Sequence, residues 1–193
     1  KYQHEDMRNV LERASARETT IRVALGAVAR KFLADLDIHI ASRVIQIGDV
    51  ADTNDMPHPV QEWNQLIDQR PTRCFTPEVD QKMVQRIEQA KKDGDTLGGI
   101  FEVAIDGLPL GLGSYVQWDR RLEGDLSKAM MSLNAIKGVE IGRGFELAKI
   151  PGSEAHDSFI PAGKPHRVIS PTNHAGGNVG GMTTGQRLLI KAA

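Results

Sequence analysis

The sequence predicts a mixed fold of helices and strands in which helices cover sheets, and three observations predict it. Proline-free stretches with apolar residues at helical spacing alternate along the chain with β-branched runs. Their order is helix, strand, helix, strand, helix, strand, with long helices. Of the 19 glycines in 193 residues, only Gly26 and Gly48 fall before residue 94. The first part can therefore support long regular elements, whereas the second must be rich in tight turns, bulges or backbone packed against a ligand.

Residues 6–33 contain no proline and one glycine, and Val10, Ala14, Ile21, Leu25, Val28 and Phe32 recur at the period of one helical face. A long amphipathic helix is the expectation. Arg17 falls where that stripe should be apolar, and a guanidinium there calls for an anionic partner, protein or ligand. An arginine snorkelling at the edge of the stripe is the plainer alternative. Ala16, Thr20, Ala24 and Ala27 form an adjacent stripe of small residues suited to close packing. Residues 38–50 are β-branched and end at Gly48-Asp49, which predicts a strand with a bulge between Ile40 and Val44, where the alternation slips. Residues 51–75, with Pro57, Pro59 and Pro71, read as an irregular connection of little functional weight, with at most a short helix near Trp63.

Thr76-Pro77-Glu78 starts a helix by cap, proline and early acid, and Lys91-Lys92 before Gly94 ends it. Its apolar face is Val79, Met83, Ile87 and Ala90. A strand follows over 97–105, then a helix over 121–132 with Leu122, Leu126, Ala129, Met130 and Leu133 on one side. The remainder alternates short extended pieces with turns: 138–144, a Pro/Gly-rich loop over 151–171, and 176–185 leading into a last strand.

With 24 Lys+Arg against 25 Asp+Glu the net charge is −1, which excludes nucleic-acid binding through a broad basic face. A composition 40% hydrophobic and 25% charged excludes a disordered chain. The single Cys74 permits no internal disulfide and reads as an inert thiol in a reducing compartment. No apolar run reaches the roughly 18 residues of a membrane span and the start is too polar for a secretory signal, so the expected location is cytoplasmic. The absence of a starting methionine and an end inside a strand-like run point to a piece of a longer chain.

Two segments stand out chemically. Arg13, Ser15, Arg17 and Thr19 place two guanidiniums and two hydroxyls within two turns, a plausible anion site or else an exposed face of ion pairs with Glu12 and Glu18. The paired-glycine run 176–185 could let backbone N–H groups approach a phosphate or a flavin edge, or could be a sheet-edge turn. It has neither the P-loop nor the Gly-x-Gly-x-x-Gly spacing. His4, His39, His58, His156, His166 and His174 lack metal-ligand spacing, and no Gly-x-Ser-x-Gly elbow occurs.

Three segments carry a resemblance: Glu-Arg-Ala-Ser-Ala-Arg-Glu-Thr-Thr-Ile-Arg-Val-Ala-Leu-Gly-Ala-Val over 12–28, Met-Met-Ser-Leu-Asn-Ala-Ile-Lys-Gly-Val-Glu-Ile-Gly-Arg-Gly-Phe over 130–145, and Asn-His-Ala-Gly-Gly over 173–177 followed by Gly-Gly-Met-Thr-Thr-Gly over 180–185. Together with the stretches between them they resemble chorismate synthase along essentially the whole chain. The resemblance implies a β-α-β sandwich, long helices packed between antiparallel sheets, with residues 1–193 as the central part of one domain. It implies 1,4-elimination of phosphate from 5-enolpyruvylshikimate-3-phosphate to give chorismate, with reduced FMN, NADPH as ultimate reductant, and a homotetramer without nucleic-acid or membrane partners. Matching positions put Arg13, Ala14, Ser15, Asn134, Ala135 and Gly180 on the flavin and Ser15 with Arg17 on the substrate. Ala14 stands where many members have Ser, and Arg143 where Asp is usual. The family's catalytic histidines match no residue here, so this stretch alone is expected not to turn over substrate. Its rivals are a non-catalytic FMN- or anion-binding or assembly module that keeps the fold, and a different flavoenzyme on a related scaffold.

Overall fold

The computed structural model describes residues 3–161 and 168–193; Lys1, Tyr2 and His166 lie outside the described residues. In chain order the elements are α1 (Arg8–Ala14), a 3-10 turn (Ala16–Glu18), α2 (Thr19–Ala34), β1 (His39–Ile47), β2 (Val50–Ala51) and a 3-10 turn (Val60–Glu62) running into α3 (Trp63–Ile67). Then come α4 (Pro77–Asp93), β3 (Gly99–Asp106), α5 (Leu122–Met131), β4 (Val139–Ile141) and α6 (Gly152–Ala155). Four two-residue strands, β5 (Ile160–Pro161), β6 (Val168–Ile169), β7 (Asn178–Val179) and β8 (Met182–Thr183), precede β9 (Leu188–Ala192).

The fold is α+β, built on an antiparallel sheet in the order β2-β1-β3-β9-β4. β9 inserts between β3 and β4, so it is an interior strand of the sheet. β1 and β3 pair regularly from Ile40↔Ile105 to Val44↔Phe101, and Gln46 then meets Ile100. The bulge therefore sits at Ile45 and not between Ile40 and Val44. Its cause is visible: the Ile45 carbonyl accepts the Asp52 N–H at 2.8 Å, which turns it out of the ladder.

The predicted long first helix is broken. Ser15, at φ −79° and ψ 151°, leaves helical space between α1 and the 3-10 turn, so Arg17 lies on an exposed turn rather than on an inward stripe. In α2, Ala27 and Ala34 face β1 across a cleft, while Ile21, Leu25, Val28 and Phe32, the predicted apolar face, are each at least 65% exposed. The amphipathic pattern is real, but its apolar side is turned away from this sheet.

The two sheet faces have different cores. Ile105, Leu188 and Ile190 pack with Leu126 and Met130 of α5 on one face. On the other, Ala41 and Ala104 lie under Met56, Val60, Trp63 and Ile67. Residues 51–75, read from sequence as an irregular connection, thus supply several fully buried side chains, Trp63, Ile67 and Cys74 among them. Two arginines pin this segment. Arg43 donates to Glu102 Oε1 at 2.9 Å and to the Asn54 carbonyl at 2.9 Å. Arg187 forks onto Asp106 with two bonds of 2.8 Å and also donates to the carbonyls of Met56 and His58. Both guanidinium carbons lie over the Trp63 ring, 5.7 and 5.5 Å from its centroid, and the indole N–H donates to His58 O.

α4 ends as predicted, at Gly94 in the left-handed conformation, φ 68°. Its start differs. The Thr76 hydroxyl makes no cap bond but donates to Asp52 Oδ1 at 2.9 Å. Asp52 also accepts from Thr76 N, Asn54 N and the Cys74 thiol. Burial and the Asp52 carboxylate push the Cys74 thiol up to about 12, so it stays protonated and unreactive.

Burial opposes the ionisation of Asp52 and Asp106, but hydrogen bonds from Cys74, Asn54 and Thr76, and from Arg187 and Val60, hold both below 3.8. The unfolded chain therefore binds these protons more tightly. The stability the pair supplies is complete above about pH 4 and is lost as pH falls through the depressed folded values. Urea unfolding followed downward from pH 6 should show this acid loss, with a shallower slope for Asp106→Asn. Glu102→Leu alone should cost about 3–5 kcal/mol, because Arg43 is left buried without its counterion, and Arg43→Met/Glu102→Leu should recover part of that in the same assay.

Candidate functional site

The break at Ser15 creates the first part of the site. The Ser15 hydroxyl oxygen accepts the Arg17 N–H at 3.3 Å, capping the 3-10 turn, and its own proton can still be donated to a ligand. Thr19 differs, because its hydroxyl donates to Ala16 O at 2.5 Å. The side chains of Arg13 and Arg17 are exposed on either side of a half-buried Ser15.

The second part comes from the turn between α5 and β4. The chain reverses through Asn134 and Ala135, with Ala135 left-handed at φ 71°, an uncommon conformation for a residue with a side chain. The turn is anchored behind by Lys137 N–H and Gly138 N–H, which donate to the Ala193 carbonyl. In front, the Asn134 carboxamide donates to Ala14 O at 3.2 Å, joining residues 120 apart in sequence. Nearby, Glu18 holds Arg22, and Arg22 Nη1 reaches Ser132 Oγ at 2.6 Å. Neither Arg22 nor Ser132 was singled out from sequence. The i,i+4 spacing of Glu18 and Arg22 was the available signal, but it does not reveal a partner on another helix.

Gly180 lies elsewhere. β7 and β8 form a hairpin whose two-residue turn, Gly180-Gly181, has φ 64° and 91°, the geometry that matches strand twist. The Gly181 carbonyl accepts from Ser114 N and from Leu122 N at the start of α5. Asn134 lies past the other end of that ten-residue helix, so about 15 Å separate the two at about 1.5 Å per residue. The structure thus joins Ala14 with Asn134 and leaves Gly180 at the far end of α5.

Seven of the described glycines after residue 93 leave no room for a side chain because backbone lies where a Cβ would be. A Cβ on Gly176 would fall on Gly142, one on Gly177 on the Arg187 carbonyl, and one on Gly181 on the Ser114 carbonyl. Gly180 faces open space. Arg143 is exposed, with its N–H bonded to His174 O. Asp157, also missed from sequence inside a Pro/Gly-rich loop, accepts from Thr172 Oγ1, His174 N and Ala175 N and so fixes the turn leading into Gly176. Burial opposes its ionisation, but those bonds hold its carboxyl below the usual range. Among the described residues no group of three or more His, Cys, Asp or Glu could hold a metal ion, and no helix is long and apolar enough to cross a membrane. Two clefts, of about 550 Å³ beside α4 and about 410 Å³ beside α2, lie away from the Ser15 and Asn134 turns.

Cations, a hydroxyl and a carboxamide on one accessible edge of an α+β domain suit an anionic small molecule. The chain belongs to the chorismate synthase family, whose model matches residues 1–193. It is 50% identical over 191 residues to chorismate synthase 1 of Bacillus cereus (strain ATCC 10987 / NRS 248), and 50% identical over 192 residues to the chorismate synthase of Geobacillus thermodenitrificans. Each match covers 99% of this chain and 49% of the relative, so the chain spans about half the length of the curated relatives it matches. A solved structure described as a crystal structure of chorismate synthase superposes with a TM-score of 0.91 at 40% identity, over 99% of this chain and 59% of that one.

The glycine geometry separates two kinds of position. Gly176→Ala should cost at least about 3 kcal/mol in urea unfolding, since Gly142 must move. Gly180→Ala should cost only about 1–2 kcal/mol, the strain of left-handed backbone alone.

Proposed function

We propose that this chain forms part of a chorismate synthase, which eliminates phosphate from 5-enolpyruvylshikimate-3-phosphate to give chorismate. The observation that carries the reading is the Asn134–Ala14 hydrogen bond, because it unites two segments the resemblance assigns to the flavin. Arg13, Ser15 and Asn134 fit FMN: two donors sit beside a cation, all of them accessible. Gly180, with no obstructing Cβ and the length of α5 away, fits the far end of an extended cofactor. Reduced FMN, when bound, supplies electron density transiently as phosphate leaves and recovers it, so the reaction has no net redox change.

The chain's own contribution is binding and electrostatics. As the C–O bond to phosphate breaks, negative charge grows on the departing oxygens, and the Arg17 guanidinium with the Ser15 hydroxyl stabilises it. The Asn134 carboxamide, fixed on Ala14 O, orients the cofactor's edge against the same turn. The proton lost in the elimination is assigned to no residue of this chain. The exposed Ile21, Leu25, Val28 and Phe32 stripe of α2 is the face that a second sheet would cover in the family's sandwich. The same reading gives a cytoplasmic homotetramer whose flavin is reduced ultimately by NADPH.

Anaerobic phosphate release from 5-enolpyruvylshikimate-3-phosphate by the full-length protein with photoreduced FMN tests the proposal. Arg17→Ala should lower kcat/KM by roughly 10²–10³-fold and Ser15→Ala by roughly tenfold. The 193-residue chain alone should release none. Flavin binding by the full-length protein without phosphate release would favour a non-catalytic binding module instead.

A further inference from the structure

We propose that Arg22 is a positioning residue for the ligand-facing turns, holding the Ser15 turn against the Asn134 turn through Ser132. The assignment rests on the flavin reading of those turns. Its ground is a closed ring of contacts. Ser15 and Arg17 open the 3-10 turn that Glu18 ends. Both Glu18 carboxylate oxygens accept from Arg22 Nε, at 2.9 and 3.0 Å. The other end of the guanidinium, Nη1, donates to Ser132 Oγ at 2.6 Å. Ser132 donates its own proton to Ala129 O at 2.6 Å, within the last turn of α5, so its oxygen is oriented as an acceptor toward Arg22. Two residues later Asn134 returns to Ala14 O, next to Ser15.

A planar fork is what this arrangement requires, because one group must satisfy a carboxylate at the end of the preceding 3-10 turn and a hydroxyl at the end of another helix at fixed angles. Lysine, with a single ammonium on a flexible stem, cannot hold both in place. The Glu18–Arg22 pair is partly exposed, with side chains 27% and 37% accessible, so it contributes little to global stability. Arg22 acts through Glu18 and Ser132, which take its Nε and Nη1 donors. Its effect is therefore on the relative placement of Ser15 and Asn134, to which a multi-point ligand is sensitive.

The test is fluorescence titration of the full-length protein with oxidised FMN, alongside thermal melting. Arg22→Ala should weaken FMN binding roughly ten- to a hundredfold while lowering Tm by no more than about 3 °C. Arg22→Lys should not restore affinity, and Ser132→Ala should reproduce most of the loss. In a double-mutant cycle, Arg22→Ala and Asn134→Ala should be strongly non-additive for FMN affinity, because both release the same pair of turns. Wild-type binding with unchanged affinity in Arg22→Ala, or full rescue by lysine, would overturn the assignment alone. A wild type that binds no FMN would overturn the flavin site and this assignment with it.

Discussion

Two guanidiniums closing on one indole ring hold this chain together. Arg43 comes from β1 and Arg187 from the residue before β9, and between them lies Trp63, the first residue of the short helix α3 in an otherwise irregular segment. Each arginine is neutralised by a carboxylate of β3, Glu102 or Asp106, and each gives its remaining donors to backbone carbonyls of residues 54–58. The connection therefore needs no ladder of its own, since its otherwise orphaned carbonyls are satisfied by side chains. Because Arg187 leads into β9, the same contact fixes where this interior strand enters the sheet, and with it Ala193, which anchors the turn carrying Asn134.

That dependence on distant partners explains what could be read in advance. Elements whose signals are local were legible: α4 from its proline start and Lys-Lys-Gly end, β3 from its alternation, α5 from its apolar face. The break at Ser15 was not, because the apolar spacing on either side continues in register through it. The bulge at Ile45 depends on a backbone bond from Asp52 across the next turn, and the burial of Trp63 on two arginines of different strands, neither of which a local pattern shows. Prolines made residues 51–75 look like an irregular connection with at most a short helix near Trp63, which they are; nothing local showed that this connection is core.

The site follows the same division. Residue types suggested an anion site at Arg13, Ser15 and Arg17, and the family resemblance added Asn134, Ala135 and Gly180. Neither revealed that Asn134 binds Ala14, nor that α5 separates Gly180 from both. Part of the glycine excess in the second half serves backbone crossings. Gly142 with Gly176 and Gly181 with Ser114 are contacts no side chain could share, and of that paired-glycine turn only Gly180 is left facing outward.

The account stands on the claim that the Ser15 and Asn134 turns, joined at Ala14, form one ligand-binding surface that extends along α5 toward Gly180. A crystal structure of the full-length protein with oxidised FMN and 5-enolpyruvylshikimate-3-phosphate bound measures this directly. The account predicts the flavin against Ala14, Asn134 and Gly180 and the substrate within hydrogen-bond distance of Ser15 and Arg17. A flavin seated elsewhere, such as the cleft beside α4, with these two turns left facing solvent, would contradict it.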